Sequence, residues 1–417
     1  MERVAIVGGV RTPFVRAGGV FGNYSALDLG MHAVQSLVKR MQLDPATVQE
    51  LSYGSVLLDP RTSNLAREIV LRTDLPKSIV AHSVSNYCIS GLVAINAIAE
   101  GIRSGRINCG LAGGCESMSR PTLTLSYKAE AFFMALARAR SLGEKLQAIS
   151  TFRPGMLMPQ PPSPKEPSTG KTMGQHCEMT TQELHISREI QDKIAFASHQ
   201  NAARAQEAGH LAQEIEALGK VDRDNLIRKD SSLEKLAKLP PVFDRSGKGT
   251  LTAGNSSSLT DGASAICLMS EGEAHRQNRP ILGYIEAVEF AAIAHNDGLL
   301  MAPGVAVPRL FARYGLTIDS VDLFEVHEAF AAQVAANMQV WEQGWSRFPD
   351  LKPIGRIPSE KLNVNGGSIA IGHPFAATGG RLVLSVVNEL ARRNQNTAVV
   401  SVCAAGAMAC AVLIRRQ

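Results

Sequence analysis

Asn86-Tyr87-Cys88-Ile89-Ser90-Gly91 stands between an extended stretch, residues 79–84, and a helical pattern that puts Leu92, Ile95, Ile98, Ala99 and Ile102 on one face. That spacing is the spacing of a helix packed on a sheet, and Ser90 and Gly91 make its entry tight. The helix is expected to end near Arg103, and a strand-like run rich in Gly and Ala follows at 109–115. Far down the chain the layout recurs. Gly372-His373-Pro374-Phe375-Ala376 leads into a helix ending near Arg393, then into strand-like, small-residue sequence over 398–411. The chain therefore reads as a duplicated α/β unit whose two turns meet at a shared site. Two unrelated strand–helix units would share part of this layout, so the duplication stands as an expectation.

Outward from these stretches, apolar runs and amphipathic patterns alternate from residue 1 to about 120: strand-like 4–7, helical 28–41, strand-like 51–58, helical 65–71. That alternation predicts a sheet buried between helices. Residues 121–249 are polar and helix-rich, punctuated by Pro154, Pro159, Pro161, Pro162, Pro164 and Pro167, as an inserted lobe would be. The β-like pattern returns at 263–269. The expected division is 1–120 plus 250–275 as an N-terminal half, 121–249 as the lobe, and 276–417 as a C-terminal half.

Bulk properties narrow the function. The 417 residues are 45% hydrophobic and 19% charged, which fits a packed globular protein of two or three domain-sized units. With 43 basic and 38 acidic residues, the net charge is only +5, and no like-charge block supports nucleic-acid binding. Seven cysteines without a CxxC pair resemble neither a disulfide framework nor a zinc site. No apolar run approaches the ~18–20 residues of a membrane span. With a strand already at Val4, no targeting segment is expected, and a reducing, cytoplasmic setting follows.

Four residues could carry chemistry. A thiol at Cys88, in the first turn of a helix, would meet the positive end of the peptide dipole, which lowers its pKa and favours the nucleophilic thiolate. His373, flanked by glycines and by Pro374 at a first helical position, would be held rigidly as a neutral imidazole. Cys403 ends a strand-like run and precedes Ala404-Ala405-Gly406-Ala407-Met408-Ala409, where small side chains leave backbone N–H groups open to a ligand. His327 follows the apolar run 321–324 at a further strand-to-helix turn. Taken singly, each has a plain packing explanation. Together they supply what thioester carbon–carbon chemistry needs: a thiolate to accept an acyl group, a second base for an α-proton, and donors for two oxyanions.

At these residues the sequence resembles the thiolase family over essentially its whole length. Residues 84–92 resemble the nucleophilic-cysteine signature, 363–379 the N-x-x-G-G…G-H-P…T-G signature, 398–411 the C-terminal cysteine signature, and 252–263 the segment bordering coenzyme A. The resemblance implies a five-layered αβαβα core from two related halves, with a loop lobe covering CoA. It implies ping-pong chemistry through acyl-Cys88, with His373 as its base and Cys403 as acid/base. The N–H groups of Cys88 and Ala405 would form one oxyanion hole, and His373 with His327 the other. Ser257 and Phe330 would border substrate or CoA. CoA is then a substrate, with no cofactor and no metal.

Many family members carry Asn-Glu-Ala-Phe where this chain has His327-Glu328-Ala329-Phe330, and Cys-x-Gly-Gly-Gly where it has Cys403-Ala404-Ala405-Gly406-Ala407. The His form looks like the β-subunits of the fatty-acid oxidation trifunctional complex. That branch implies 3-ketoacyl-CoA cleavage, a homodimer or larger oligomer, and an α-subunit partner. Residues 127–153 read as one basic amphipathic helix, with Phe132, Leu136, Ala139, Leu146 and Ile149 beside Lys128, Arg138, Arg140, Lys145 and Arg153, suited to an anionic membrane or a partner subunit. The alternatives are a synthetic acetyl-CoA acetyltransferase, a ketoacyl synthase, which would carry histidine at position 403, and a catalytically quiet scaffold. Gly170-Lys171-Thr172 lacks the earlier glycine of a P-loop, Gly8-Gly9 lacks the third glycine of a dinucleotide fingerprint, and Cys109, Cys115, Cys177, Cys267 and Cys410 read as packing residues.

Overall fold

The computed structural model describes residues 2–417. Ten strands form the frame: β1 (Val4–Arg11), β2 (Val15–Arg16), β3 (Glu50–Gly54), β4 (Val80–Val84), β5 (Cys109–Glu116), β6 (Thr260–Ser270), β7 (Gly283–Ala292), β8 (Leu323–Val326), β9 (Thr397–Ala404) and β10 (Met408–Arg415). They run in the order β4-β3-β5-β6-β1-β7-β10-β9-β8, with β2 paired to β6.

The duplication is visible in the pairing. β3-β5-β6-β1 in the first half has the directions of β8-β9-β10-β7 in the second: one parallel pair, then two antiparallel pairs. β4, which lies parallel to β3 and leads to Cys88, has a vestigial counterpart in a single parallel bridge between Phe324 and Leu362, ahead of His373. Among the described residues the two halves pair strand to strand at two residue pairs, Ala5 with Tyr284 and Ile6 with Gly283.

Three apolar cores make five layers. Helices Ala26–Arg40 and Leu65–Arg72 cover the outer face of the first half, and Pro303–Tyr314 with Ala331–Gln343 cover that of the second. Between the halves lie Ser90–Arg103 and Thr378–Arg393, packed on strands of both. Leu92, Ile95, Ile98 and Ile102 are completely buried there, as their spacing predicted. Each such side chain contributes roughly 1.5–3 kcal/mol relative to exposure. The first of these two central helices meets the turn that leads into the second at Gly91, where a side-chain carbon would lie 2.4 Å from the Ala376 carbonyl oxygen. Only glycine permits that contact.

Some expectations change. The strand expected over 51–58 stops at Gly54, because the backbone N–H groups of Val56 and Leu57 turn to the buried Glu116 carboxylate. Residues 127–153 are two helices rather than one, Tyr127–Arg138 and Leu142–Ser150. Ser141 begins the second: its hydroxyl accepts from Glu144 N, while the Glu144 carboxylate accepts from Ser141 N, a reciprocal cap that starts a new helix. Phe132 is buried near Phe152 on the inside of this hairpin, while Phe133, Met134, Leu142, Leu146 and Ile149 are exposed. Among the described residues no helix is long and apolar enough to cross a membrane.

Candidate active site

Cys88 does not sit in the first helical turn. The helix begins at Ser90, with Ile89 as its cap, so Cys88 precedes it on a tight turn. Tyr87 there adopts a left-handed backbone, φ 48°, a costly conformation for an aromatic residue. Ser90 holds it, its hydroxyl donating to Tyr87 O at 2.6 Å and accepting from Asn86 N at 2.8 Å.

His373 enters from the opposite half. Its N–H donates to Thr260 Oγ1 at 3.0 Å. Pro374 is not the first residue of a long helix. A short 3-10 turn, Phe375–Ala377, intervenes, and the helix starts at Thr378. Because of that extra turn, the Thr378 hydroxyl hydrogen-bonds His373 Nδ1 at 2.7 Å. His373 Nε2 is thereby aimed at Cys88 Sγ, 3.2 Å away. His327 stacks beside it, ring centroids 4.0 Å apart, and its Nδ1 bonds Ser368 Oγ at 2.8 Å. Ser368 also accepts from the completely buried Arg381 at 3.1 Å.

Cys403 is buried within β9, one residue before its end. The following small residues form the turn of the β9–β10 hairpin, not a helix contact, and both Gly406 and Ala407 are left-handed there, φ 69° and 56°. The hairpin presents the Ala405 N–H to the Cys88 sulfur, as Cys88 does with its own N–H. A lobe residue braces it: buried Glu166 accepts from Gly406 N at 3.1 Å.

The electrostatics overturn one expectation. Burial pushes the Cys88 thiol up to about 12, outweighing the two N–H groups that favour its anion. Burial, then the Arg381 charge, holds His373 down to about 3, and burial, then His373 and Arg381, holds His327 well below its usual value. Cys403 is raised by burial and by the neighbouring Cys88 and Cys177. The resting pair is thus a neutral thiol against a neutral imidazole, because desolvation disfavours both charges. Glu116, also raised by burial to about 7, adds a smaller push upward on the Cys88 thiol through its charge.

An apolar cavity of about 430 Å³ opens onto Cys88 and Ala405, walled by Met118, Met173, Phe375 and the proline-rich segment 161–167. Neither Ser257 nor Phe330 lines it. Ser257 N donates to Ala329 O at 2.9 Å, and Phe330 packs edge-on against Phe243 in the small core that contains Cys403. Sequence reasoning missed Glu166, Arg381 and Glu116. No local pattern marked them, since each acts through a partner distant in sequence. Ser368 and Thr378 stood in the quoted signature, but their roles were not assigned.

The two halves match two family models in order. Residues 4–272 match the thiolase N-terminal domain and 279–416 the thiolase C-terminal domain, so the chain belongs to the thiolase family and is an acyltransferase. It is 43% identical to the 3-ketoacyl-CoA thiolase of Shewanella sp. (strain W3-18-1), over 99% of this chain and 97% of that one. Identity to the protein of the same name from Shewanella piezotolerans (strain WP3 / JCM 13877) is 42%, with the same coverage. The crystal structure of the Bacillus anthracis acetyl-CoA acetyltransferase has a TM-score of 0.85 at 28% identity, covering 100% of this chain and 99% of that one.

Proposed function

We propose that this chain is a 3-ketoacyl-CoA thiolase working in the degradative direction, converting 3-oxoacyl-CoA and CoA into acetyl-CoA and a shortened acyl-CoA. The observation that carries the reading is the 3.2 Å contact between Cys88 Sγ and His373 Nε2 at the edge of the apolar cavity. A volume of about 430 Å³ suits a small-molecule chain, and Lys165 and Glu166 are the charged residues among its walls.

In the first half-reaction Cys88 Sγ attacks the keto carbon while its proton passes to His373 Nε2. Burial disfavours both the separate thiolate and the separate imidazolium, which favours proton transfer in step with carbon–sulfur bond formation. The Cys88 and Ala405 N–H groups receive the oxyanion. The bond between the α- and keto carbons then breaks, its electron pair passing to the acetyl-CoA enolate, and Cys403 protonates that carbon. His373 and His327 stabilise the enolate oxygen. In the second half-reaction the Cys403 thiolate takes the proton of CoA, whose sulfur displaces the acyl group, and Cys88 recovers its proton from His373. CoA approaches along 252–263, and no resident cofactor is needed.

The His327-Glu328-Ala329-Phe330 signature supports reading the chain as similar to the trifunctional-complex β-subunits. On that reading the enzyme is cytoplasmic, a homodimer or larger, and partners an α-subunit. The exposed apolar face of the 127–153 hairpin is its contact with an anionic membrane, tested by sedimentation with anionic vesicles before and after Leu142, Leu146 and Ile149 are changed to serine. Unchanged vesicle binding in that variant rules the contact out.

Intact-protein mass decides the chemistry. An acyl adduct after mixing with 3-oxoacyl-CoA, absent in Cys88→Ala and discharged by CoA, is expected. No adduct and no turnover would leave a quiet scaffold. The likeness to an acetyl-CoA acetyltransferase favours the synthetic direction as a second reading, and activity confined to acetoacetyl-CoA in a chain-length series would move the assignment there.

A further inference from the structure

Three residues with roles in acyl transfer also cluster as metal ligands do. The ligand atoms of Cys88, His327 and His373 all lie within 4.8 Å of one another. Tetrahedral zinc takes a thiolate at about 2.3 Å and imidazole nitrogens at about 2.0–2.1 Å, which sets its sulfur and nitrogen ligands about 3.6 Å apart. Cys88 Sγ and His373 Nε2 already stand at 3.2 Å. Both rings are anchored at Nδ1 by a hydroxyl, Thr378 for His373 and Ser368 for His327. Imidazoles that bind metal are oriented in this way, through a partner on the other nitrogen. His327 Nε2 is buried and has no hydrogen-bond partner among the described residues.

We propose that Cys88, His327 and His373 form a capture site for a thiophilic divalent cation of the zinc class, which binds the resting enzyme and blocks acylation. The Cys88 S–H bond breaks, a metal–sulfur bond forms and the proton leaves to solvent, while both imidazoles bind through neutral Nε2 lone pairs. No oxidation state changes. Cys88 lines the cavity, which gives the metal its path to the site. The surrounding charges oppose one another: Arg381, behind Ser368, repels a cation, whereas Glu116, near enough for its charge to act on Cys88, attracts one. With no oxygen cage present, magnesium and calcium gain nothing here, and the thiolate selects soft metals.

Metal binding is read without substrate, so its failure is distinguishable from failure of the thiolase reading. Metal-stripped protein is titrated with zinc sulfate by calorimetry in buffers of different ionisation heat, and with cobalt chloride by absorbance. A single metal per chain, one proton released, and a thiolate-to-cobalt charge-transfer band are expected. Zinc slows alkylation of Cys88 by iodoacetamide at least about tenfold, followed by peptide mass, and EDTA restores it. His327→Asn weakens zinc binding about 100-fold with unchanged circular dichroism. His373→Ala removes a different ligand and must do the same, which keeps the test decisive if one variant misfolds. Cys403→Ser retains binding. Unchanged zinc affinity in both histidine variants, undiminished Cys88 alkylation, or loss of binding in Cys403→Ser overturns the site.

Discussion

Cys88 Sγ and His373 Nε2 stand 3.2 Å apart although the residues are 285 positions apart in the chain. The contact depends on how closely the first central helix approaches the turn that follows His373, and Gly91 against the Ala376 carbonyl sets that limit. Gly91→Ala forces a carbon against that oxygen and separates the two turns. We expect kcat/KM to fall about 100-fold, the scale of an ångström-sized misplacement, in protein that still folds by circular dichroism. Wild-type turnover in that variant would disprove the helix contact as the determinant of the pair.

Glu166 bonds Gly406 N next to the Ala405 donor and covers part of the same cavity. Glu166→Ala should slow acylation of Cys88 about tenfold, less than the loss of an oxyanion donor itself, because the donor remains but its hairpin is freed. Glu166→Gln keeps an acceptor oxygen and should recover most of the rate. Single-turnover acylation followed by mass separates this from a binding defect, and equal losses in the two variants would argue against the brace.

Ala407 is left-handed in the β9–β10 turn, φ 56°, a conformation costing an L-residue about 1–2 kcal/mol. Ala407→Gly relieves it at some entropic cost, and a net gain of about 0.5 kcal/mol is expected. Ala407→Val, β-branched in the same conformation, should lose more than about 1 kcal/mol. Urea unfolding of the three proteins gives the order Gly, Ala, Val, and a reversed order refutes it.

Glu116 supplies a pH signature. Its carboxyl is raised by burial from 4.5 to about 7, so the native state holds the proton more tightly than the unfolded chain. Its stabilising contribution is therefore full below about pH 4.5, declines as pH rises towards 7, and is constant above. Glu116→Gln imitates the protonated form and removes that decline. The stability difference, wild type minus variant, should fall by up to about 3 kcal/mol between pH 4.5 and 7. A difference that stays flat or rises across this window contradicts the shift.

The readable parts of the sequence were those whose physics is local. The helix carrying Leu92 to Ile102 was legible because its apolar face repeats, and Cys88, His373, Cys403 and His327 because each interrupts such a pattern at a turn beside small residues. The strand at 51–58 and the single helix at 127–153 were misread because their ends are set by Glu116, from a distant strand, and by the Ser141–Glu144 cap inside an otherwise continuous periodicity. The charge state of Cys88 was misjudged for a related reason. Helix position can be read from sequence, whereas desolvation depends on what closes around the sulfur.

The two-pair seam between β1 and β7 has a consequence in time. During synthesis the cysteine leaves the ribosome long before its histidine, and the N-terminal half can collapse around its own helices first. Throughout that interval the thiol lacks His373 and the Ala405 N–H. Competence for acyl transfer arrives only when the second half docks, so an unfinished or truncated chain carries the cysteine without the proton acceptor and the second oxyanion donor that the reaction uses.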